Sequence, residues 1–203
     1  MSSVEAVIFD LGNTLLFFDW DIAADRLCAR TGKTRRELDD YIVTTPFVNE
    51  LCVGKLTRGR FFEIIARDLG FDGDYDEFAR IWSEIFTPNE PMIRLAATLK
   101  GRYRCFVLSN TNAIHMDYVF ANYPFIHEFD GLVLSHEVGS MKPDARIYHL
   151  AVSRFELEPQ RTVFIDDILA NVDGAQRAGL QAVQYRSAEQ VRQELTKLGV
   201  API

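Results

Sequence analysis

Four places along the chain carry side chains that can do chemistry together. They are Asp10 in "AVIFDLGNTLL", Ser109 in "VLSNTN", Lys142 in "SHEVGSMKPD" and the pair Asp166 and Asp167 in "TVFIDDILAN". Asp10 follows an apolar run and precedes a glycine-bearing turn, which is where a nucleophilic carboxylate is best presented. A carboxylate that attacks a phosphoryl group meets charge repulsion, and a hard divalent cation relieves it. Mg²⁺ suits this role because it prefers oxygen ligands and retains waters. Asp10, the backbone carbonyl of Gly12 and Asp167 can hold it, with Asp166 either ligating it or binding one of its waters. Ser109, Asn110 and Lys142, with the N–H groups that follow Ser109, can hold the phosphoryl oxygens. Phosphoryl transfer needs mostly such positioning and charge neutralisation.

Each of these residues has an ordinary reading on its own. A strand-end aspartate often caps a turn or helix. "SN" after a strand is a common turn, Lys142-Pro143-Asp144 can simply open a helix, and "DD" can be a solvated loop. Two carboxylate clusters, a hydroxyl and a lysine at one edge of one sheet are harder to explain that way. They point to an anionic substrate held with a hard metal.

The elements that must position these residues follow from periodicity. "VEAVIFD" reads as a buried strand ending at Asp10. A helical stretch follows, with Asp21 before "IAADRLCARTG", Thr34 before "RRELDDYIV" and Thr57 before "RGRFFEIIARDLG". Gly32 and Gly70 stand as stops. "DYDEFARIWSEIF" places Phe78, Ile81, Trp82 and Ile85 at helical intervals. Four helices with no strand between them suggest a small bundle, and "TPNEPM" breaks the pattern as a hinge. Strand and helix then alternate through "YRCFVLS", "GLVLS", "TVFIDD" and "QAVQY". That alternation implies a parallel sheet covered on both faces. In such a sheet ligands bind beyond the carboxyl ends of the strands, where Asp10, Ser109 and Asp166 fall.

The chain has 203 residues, 48% of them hydrophobic and 25% charged, so it can bury a core. Its formal net charge of -7 excludes a basic stripe for nucleic acid or an anionic membrane. A small phosphate ester is compatible with it. Cys28, Cys52 and Cys105 form no C-x-x-C pair and read as thiols of a reducing compartment. His115, His127, His136 and His149 show no metal-ligand spacing. "MSSVEAVIF" has no signal-peptide pattern and no apolar run is long enough to span a bilayer. The expectation is a cytoplasmic protein, with the oligomeric state left open.

The four motifs "FDLGNTL", "VLSNTN", "MKPDARIY" and "FIDDILANVDGA" together resemble those of the haloacid dehalogenase superfamily of phosphatases. The resemblance covers essentially the whole chain. It implies an α/β fold, a Rossmann-like parallel sheet with an inserted helical cap, and Mg²⁺-dependent hydrolysis of a phosphate ester through an aspartyl-phosphate. Asp10 and Ser109 are 99 residues apart and Ser109 and Lys142 only 33, so the insertion lies between the first two motifs, as a C1 cap. The expected division is a core of residues 1–16 and 91–203 and a cap of residues 17–90. Caps close over small substrates, which favours a small metabolite. Within the superfamily, "FDLGN", "VLSNTN" and the fourth motif look most like bacterial α-D-glucose-1-phosphate phosphatases. "DDILAN" is also similar to the phosphatase domain of soluble epoxide hydrolase. A sugar phosphate such as glucose 1-phosphate is therefore the implied substrate. One departure is Cys52 in "CVGKLT", near where the sugar-phosphate enzymes are expected to carry an acidic residue.

A second departure is Gly12. Most superfamily phosphatases are expected to carry there an aspartate that protonates the leaving oxygen and then activates water, help worth ~10²–10⁴-fold. Without it, the leaving group must need little protonation, as an anomeric, acyl or aryl oxygen does, or a cap residue such as Asp19 must bring in a carboxylate. Two rival readings stand beside the phosphatase. One is a metal-free dehalogenase acting on a 2-haloacid, which Asp166 and Asp167 disfavour because they would repel a carboxylate substrate. The other is a catalytically weak phospho-ligand binder, which Gly12 favours.

Overall fold

A computed structural model describes residues 4–200; the outermost residues of the expected core segments, 1–3 and 201–203, lie outside it. Strand β1 (Ala6–Phe9) is followed by β2 (Leu16–Phe18) and helices α1 (Trp20–Thr31), α2 (Arg35–Thr44), α3 (Phe47–Cys52), α4 (Arg58–Leu69) and α5 (Tyr75–Ser83). Then come β3 (Phe86–Pro88), α6 (Glu90–Leu99), β4 (Arg104–Ser109), α7 (Ala113–Asn122), β5 (Gly131–Leu134) and the short α8 (Ser135–Val138). The chain ends with α9 (Ala145–Arg154), β6 (Thr162–Asp166), α10 (Leu169–Arg177), β7 (Gln181–Gln184) and α11 (Ala188–Lys197).

Five strands form one parallel sheet in the order β5-β4-β1-β6-β7. This is the α/β architecture the alternation implies. Strand β1 is central and wholly buried, which is why it reads as an unbroken apolar run. Its side chains alternate between two cores. Val7 and Phe9 pack with Leu95 of α6, Val119 of α7 and Leu195 of α11. Ala6 and Ile8 face the other way, toward Ile147 and Tyr148 of α9 and Ala175 of α10. Helices therefore cover both faces, and the polar residues just beyond the strands are left at the carboxyl edge.

Helices α1 to α5 share a third core built on Leu27, Leu38, Phe61, Phe78 and Trp82, with Ile114 of α7 joining it. Several of their ends are set by local chemistry. Thr34 forms a capping box with Glu37 at the start of α2, Thr57 caps α4, and Gly32 and Gly70 close α1 and α4 in the left-handed conformation.

Two features depart from the sequence reading. The helical stretch holds five helices, because α3 forms directly after Pro46. A short antiparallel ribbon also pairs β2 with β3, Leu16 opposite Pro88 and Phe18 opposite Phe86. "TPNEPM" thus contributes a strand where a simple break is expected. Pro88 is tolerated because it sits at the end of a three-residue edge strand. The ribbon carries the chain into and out of the helical stretch, and Asp19 N–H donates to the Ile85 carbonyl just above it at 2.9 Å.

Candidate active site

The sheet register places the chemistry. Phe9 pairs with Val107 on one side and Ile165 on the other, so Asp10 and Asp166 emerge side by side at the carboxyl edge. Asp10 is fixed by its own backbone, whose N–H donates to the Ile165 carbonyl at 2.8 Å. Its Oδ1 accepts from the Leu11 N–H at 2.7 Å.

Lys142 reaches between the two carboxylates. Its Nζ lies 2.6 Å from Asp10 Oδ1 and 2.6 Å from Asp166 Oδ2, and it donates to the Leu108 carbonyl at 3.1 Å. All three hydrogens of the ammonium have partners, and the group is buried. Asp166 is fully buried as well. Its Oδ1 accepts from the Ile168 N–H at 2.8 Å, and Asn171 Nδ2 donates to both carboxylate oxygens at 3.0 and 3.1 Å. Tyr148 in turn donates its hydroxyl to the Asn171 carbonyl at 2.8 Å. Asp167 is half-buried, and Gln184 Nε2 holds its backbone carbonyl at 2.9 Å.

Asp10, Asp166 and Asp167 each offer a carboxylate oxygen within 4.8 Å of the others. Burial pushes the Asp10 carboxyl up, Lys142 pulls it back and Asp166 pushes it up again, leaving it at about 7. Asp167 is raised by burial and by Asp166. Burial alone would lower Lys142, but Asp10 and Asp166 raise it above its ordinary value. Three carboxylates facing one ammonium leave negative charge in excess. A hard divalent cation fits the donor set of Asp10, Asp166 and Asp167.

Ser109 closes β4, buried at the carboxyl edge. The Asn110 side chain has a structural partner, which leaves its backbone N–H as the group that can meet substrate. Its Oδ1 accepts from the Lys142 N–H at 2.8 Å and its Nδ2 donates to the Lys142 carbonyl at 2.9 Å. The amide is engaged in holding the backbone of Lys142. Ser135 plays a matching part, accepting from the Thr111 N–H and donating to the Thr111 carbonyl, both at 2.9 Å. Asn110 and Ser135 thereby lock the loop after β4 to the loop of Lys142 and to the start of α8. Asn112 caps α7, accepting from the N–H groups of Ile114 and His115.

Asp19 does not supply the missing carboxylate. It caps α1, accepting from the Asp21 N–H at 2.9 Å. The cap lies two residues before the one read at Asp21, because Asp19 is the residue with extended backbone. Gly12 has ordinary backbone geometry, and a Cβ there would lie 3.6 Å from two ring atoms of Phe18.

The helical stretch docks over this edge. Ser83 Oγ donates to the Ile114 carbonyl at 3.2 Å, and His115 Nε2 lies 3.1 Å from the Trp82 carbonyl. Arg58 pairs with Asp117. Gly54, at φ +69°, sits so close to the His136 carbonyl that a Cβ would lie 2.1 Å from its oxygen. Between the helices and the edge lies a cavity of about 440 Å³, which meets the site at Gly12, Ser109 and Asn110.

Asn171, Ser135 and Tyr148 are the supporting residues that the motifs alone do not assign. Asn171 does carry a signal, four residues after Asp167, but Ser135 and Tyr148 act through partners distant in sequence.

A sequence profile of haloacid dehalogenase-like hydrolases matches residues 4–179. The chain is 28% identical to a D-ribitol-5-phosphate phosphatase of Bacteroides thetaiotaomicron, over 95% of this chain and 97% of that protein. It is 27% identical to Phosphatase MT3486 of Mycobacterium tuberculosis, over 97% and 96%. A structure of a HAD family enzyme from Bacteroides thetaiotaomicron, solved with magnesium and inorganic phosphate, matches with a TM-score of 0.82 at 22% identity, over 91% of this chain and 95% of that one.

Proposed function

The chain belongs to the haloacid dehalogenase-like hydrolase family, and from that premise we propose that it hydrolyses small phosphate monoesters with Mg²⁺, through an aspartyl-phosphate on Asp10. The observation that carries this reading is the cluster of Asp10, Asp166 and Asp167 oxygens within 4.8 Å, with Lys142 wedged among them. The names of the Bacteroides and Mycobacterium relatives and the magnesium and phosphate of the Bacteroides structure support it.

Asp10, Asp166, Asp167 and the Gly12 carbonyl would hold the cation, which when bound offsets charge on the phosphoryl oxygens. Asp10 attacks phosphorus as the ester P–O bond breaks, and the leaving oxygen departs with the electron pair and takes its proton from water to give the alcohol. Water then attacks the aspartyl-phosphate, releasing phosphate and restoring Asp10. Lys142 holds Asp10 in place and offers positive charge beside the transferred group. Ser109 and the N–H groups after it face the phosphoryl oxygens near the N-terminus of α7, a favourable end for an anion. Asn110 acts by positioning Lys142. The helices of residues 17–90 serve as a cap that excludes water over the core of residues 1–16 and 91–203.

A metal-free attack on a 2-haloacid fits this site less well, because Asp166 and Asp167 add negative charge where a carboxylate substrate would sit. Glucose 1-phosphate, implied by the motif resemblance, is one candidate ester. The polyol phosphate named for the Bacteroides relative is another. Among the described residues no helix is long and apolar enough to cross a membrane, and the free thiols of Cys28, Cys52 and Cys105 support a reducing, cytoplasmic setting.

The test is phosphate release from a panel of phosphate esters, with Mg²⁺ and with EDTA. Turnover that needs Mg²⁺ and is lost in Asp10→Asn supports the proposal. No release from any ester would leave the weak phospho-ligand binder as the better reading.

A further inference from the structure

The cavity above the carboxylate edge has the volume of a small-ligand site, about 440 Å³. Its walls are apolar and aromatic, with Phe18, Trp20, Ile42, Val48, Trp82 and Phe86 prominent among them. Trp20 and Trp82 meet edge to face, with centroids 5.1 Å apart. Such walls suit a flat, apolar group.

Several polar side chains in the walls are already engaged, which leaves the hydroxyls of Ser109, at the phosphoryl end, and Thr111 as the other polar groups. Asp39 is held by the Arg35 guanidinium at 2.8 Å and accepts from Trp20 Nε1 at 3.4 Å. His115, whose pKa burial lowers to about 4, has Nδ1 3.2 Å from Asn112 Nδ2 and Nε2 against the Trp82 carbonyl. The amides of Asn112 and Asn110 are committed to the α7 cap and to Lys142. Trp82 keeps its indole N–H without a partner, a single donor against the several hydroxyls of a sugar. A polyol enclosed here would lose more water contacts than these few groups replace.

Among the described residues that line the cavity, no unpaired carboxyl group stands ready to protonate the leaving oxygen. Gly12 has no side chain, Asp19 is a helix cap, and Asp39 is an ion-paired carboxylate. An aryl oxygen, whose acidity is close to that of a tyrosine phenol at about 10, leaves without help far more readily than an alkyl oxygen.

Resting on the phosphatase reading, we propose that the natural substrate is an apolar aromatic phosphate monoester whose ring sits among Phe18, Trp20 and Trp82. Asp10 bonds to phosphorus while the P–O(aryl) bond breaks. The electron pair goes to the aryl oxygen, which leaves as an aryloxide and takes its proton from water. Water then attacks the aspartyl-phosphate, giving inorganic phosphate.

Two pairs of substrates separate the causes, assayed on the full chain with Mg²⁺. Benzyl phosphate and D-ribitol 5-phosphate both release primary alcohols, so they compare apolar with polar at similar leaving ability. 1-Naphthyl and 1-naphthylmethyl phosphate are both apolar and compare leaving ability. The expected result is a kcat/KM higher for benzyl than for ribitol phosphate by roughly 10-fold or more, a size one apolar pocket contact can supply. The naphthyl ester should also exceed its methyl homologue in kcat. Val48→Asn, which places an amide in the wall, should shrink the benzyl-to-ribitol ratio. If ribitol 5-phosphate or glucose 1-phosphate matches or exceeds benzyl phosphate, or if Val48→Asn leaves the ratio unchanged, the aromatic assignment is overturned while the phosphatase reading stands. If no ester in the set releases phosphate, the phosphatase reading itself falls and the assignment with it.

Discussion

Lys142 Nζ lies 2.6 Å from Asp10 Oδ1, and both side chains are almost wholly withdrawn from solvent. The same ammonium lies 2.6 Å from Asp166 Oδ2, so one positive charge keeps two buried carboxylates from facing each other unscreened. Removing one partner of a buried ion pair typically costs about 3–5 kcal/mol, because the remaining charges lose their compensation. Lys142→Met should therefore lose stability on that order in urea unfolding, and phosphate release should fall to background. A variant as stable as the parent would mean that the lysine is not what holds these carboxylates.

Gly12 tests proton delivery directly. Its backbone geometry suits any L residue, and the nearest atoms to an added Cβ are ring carbons of Phe18 at 3.6 Å. Gly12→Asp should fold and should gain most on esters with poor leaving groups. General acid help of this kind is worth ~10²–10⁴-fold when well placed, so a gain of even ~10-fold on an alkyl ester over an aryl ester would register. An equal change on both would show that leaving-group protonation does not limit the rate.

Gly54 tests the docking of the helices. It has φ +69°, and its position leaves no space for a Cβ beside the His136 carbonyl. Gly54→Ala combines an unfavourable backbone conformation with a backbone clash, and should destabilise the protein by more than ~1 kcal/mol. It should also raise KM, since the helices that carry much of the cavity wall would shift. A variant with unchanged Tm and KM would place this contact outside the closed arrangement.

The fold was legible where local chemistry decides it. Thr34, Thr57, Gly32 and Gly70 mark helix ends through bonds within a turn, so their signals survive in sequence. Three of the four motifs are legible because Asp10, Ser109 and Asp166 stand at or just beyond the ends of buried strands, whereas Lys142 follows the short α8. The β2–β3 ribbon is not legible, since Leu16 and Pro88 pair only after five helices intervene. The role of Asn110 is equally hidden, because its partner is the backbone of Lys142 in another loop. Asp19 and Asp21 carry the same side chain, and only backbone geometry tells which one caps α1. The apolar cavity belongs to this tertiary class too, as its walls come from residues that read separately as helix cores.

His115 gives a pH signature of the docked state. Burial lowers its pKa from 6.5 to about 4, outweighing the Trp82 carbonyl, which favours the protonated ring. The unfolded chain takes up this proton as pH falls through 6.5, whereas the folded chain resists until about pH 4. This group therefore removes stability progressively as pH drops across that window. His115→Gln cannot titrate, so the difference in Tm between parent and variant should narrow from pH 7 to pH 4.5. A constant difference over that range would contradict the buried, neutral assignment.

A nucleophilic Asp10 becomes covalently phosphorylated during turnover. Rapid-quench mass spectrometry during turnover of 1-naphthyl phosphate with Mg²⁺ measures this most directly. The expected result is a transient mass gain of one phosphoryl group on the peptide carrying Asp10, present within the first turnover and absent in Asp10→Asn. Steady phosphate release with no such species on that peptide at any quench time, or release retained by Asp10→Asn, would contradict it.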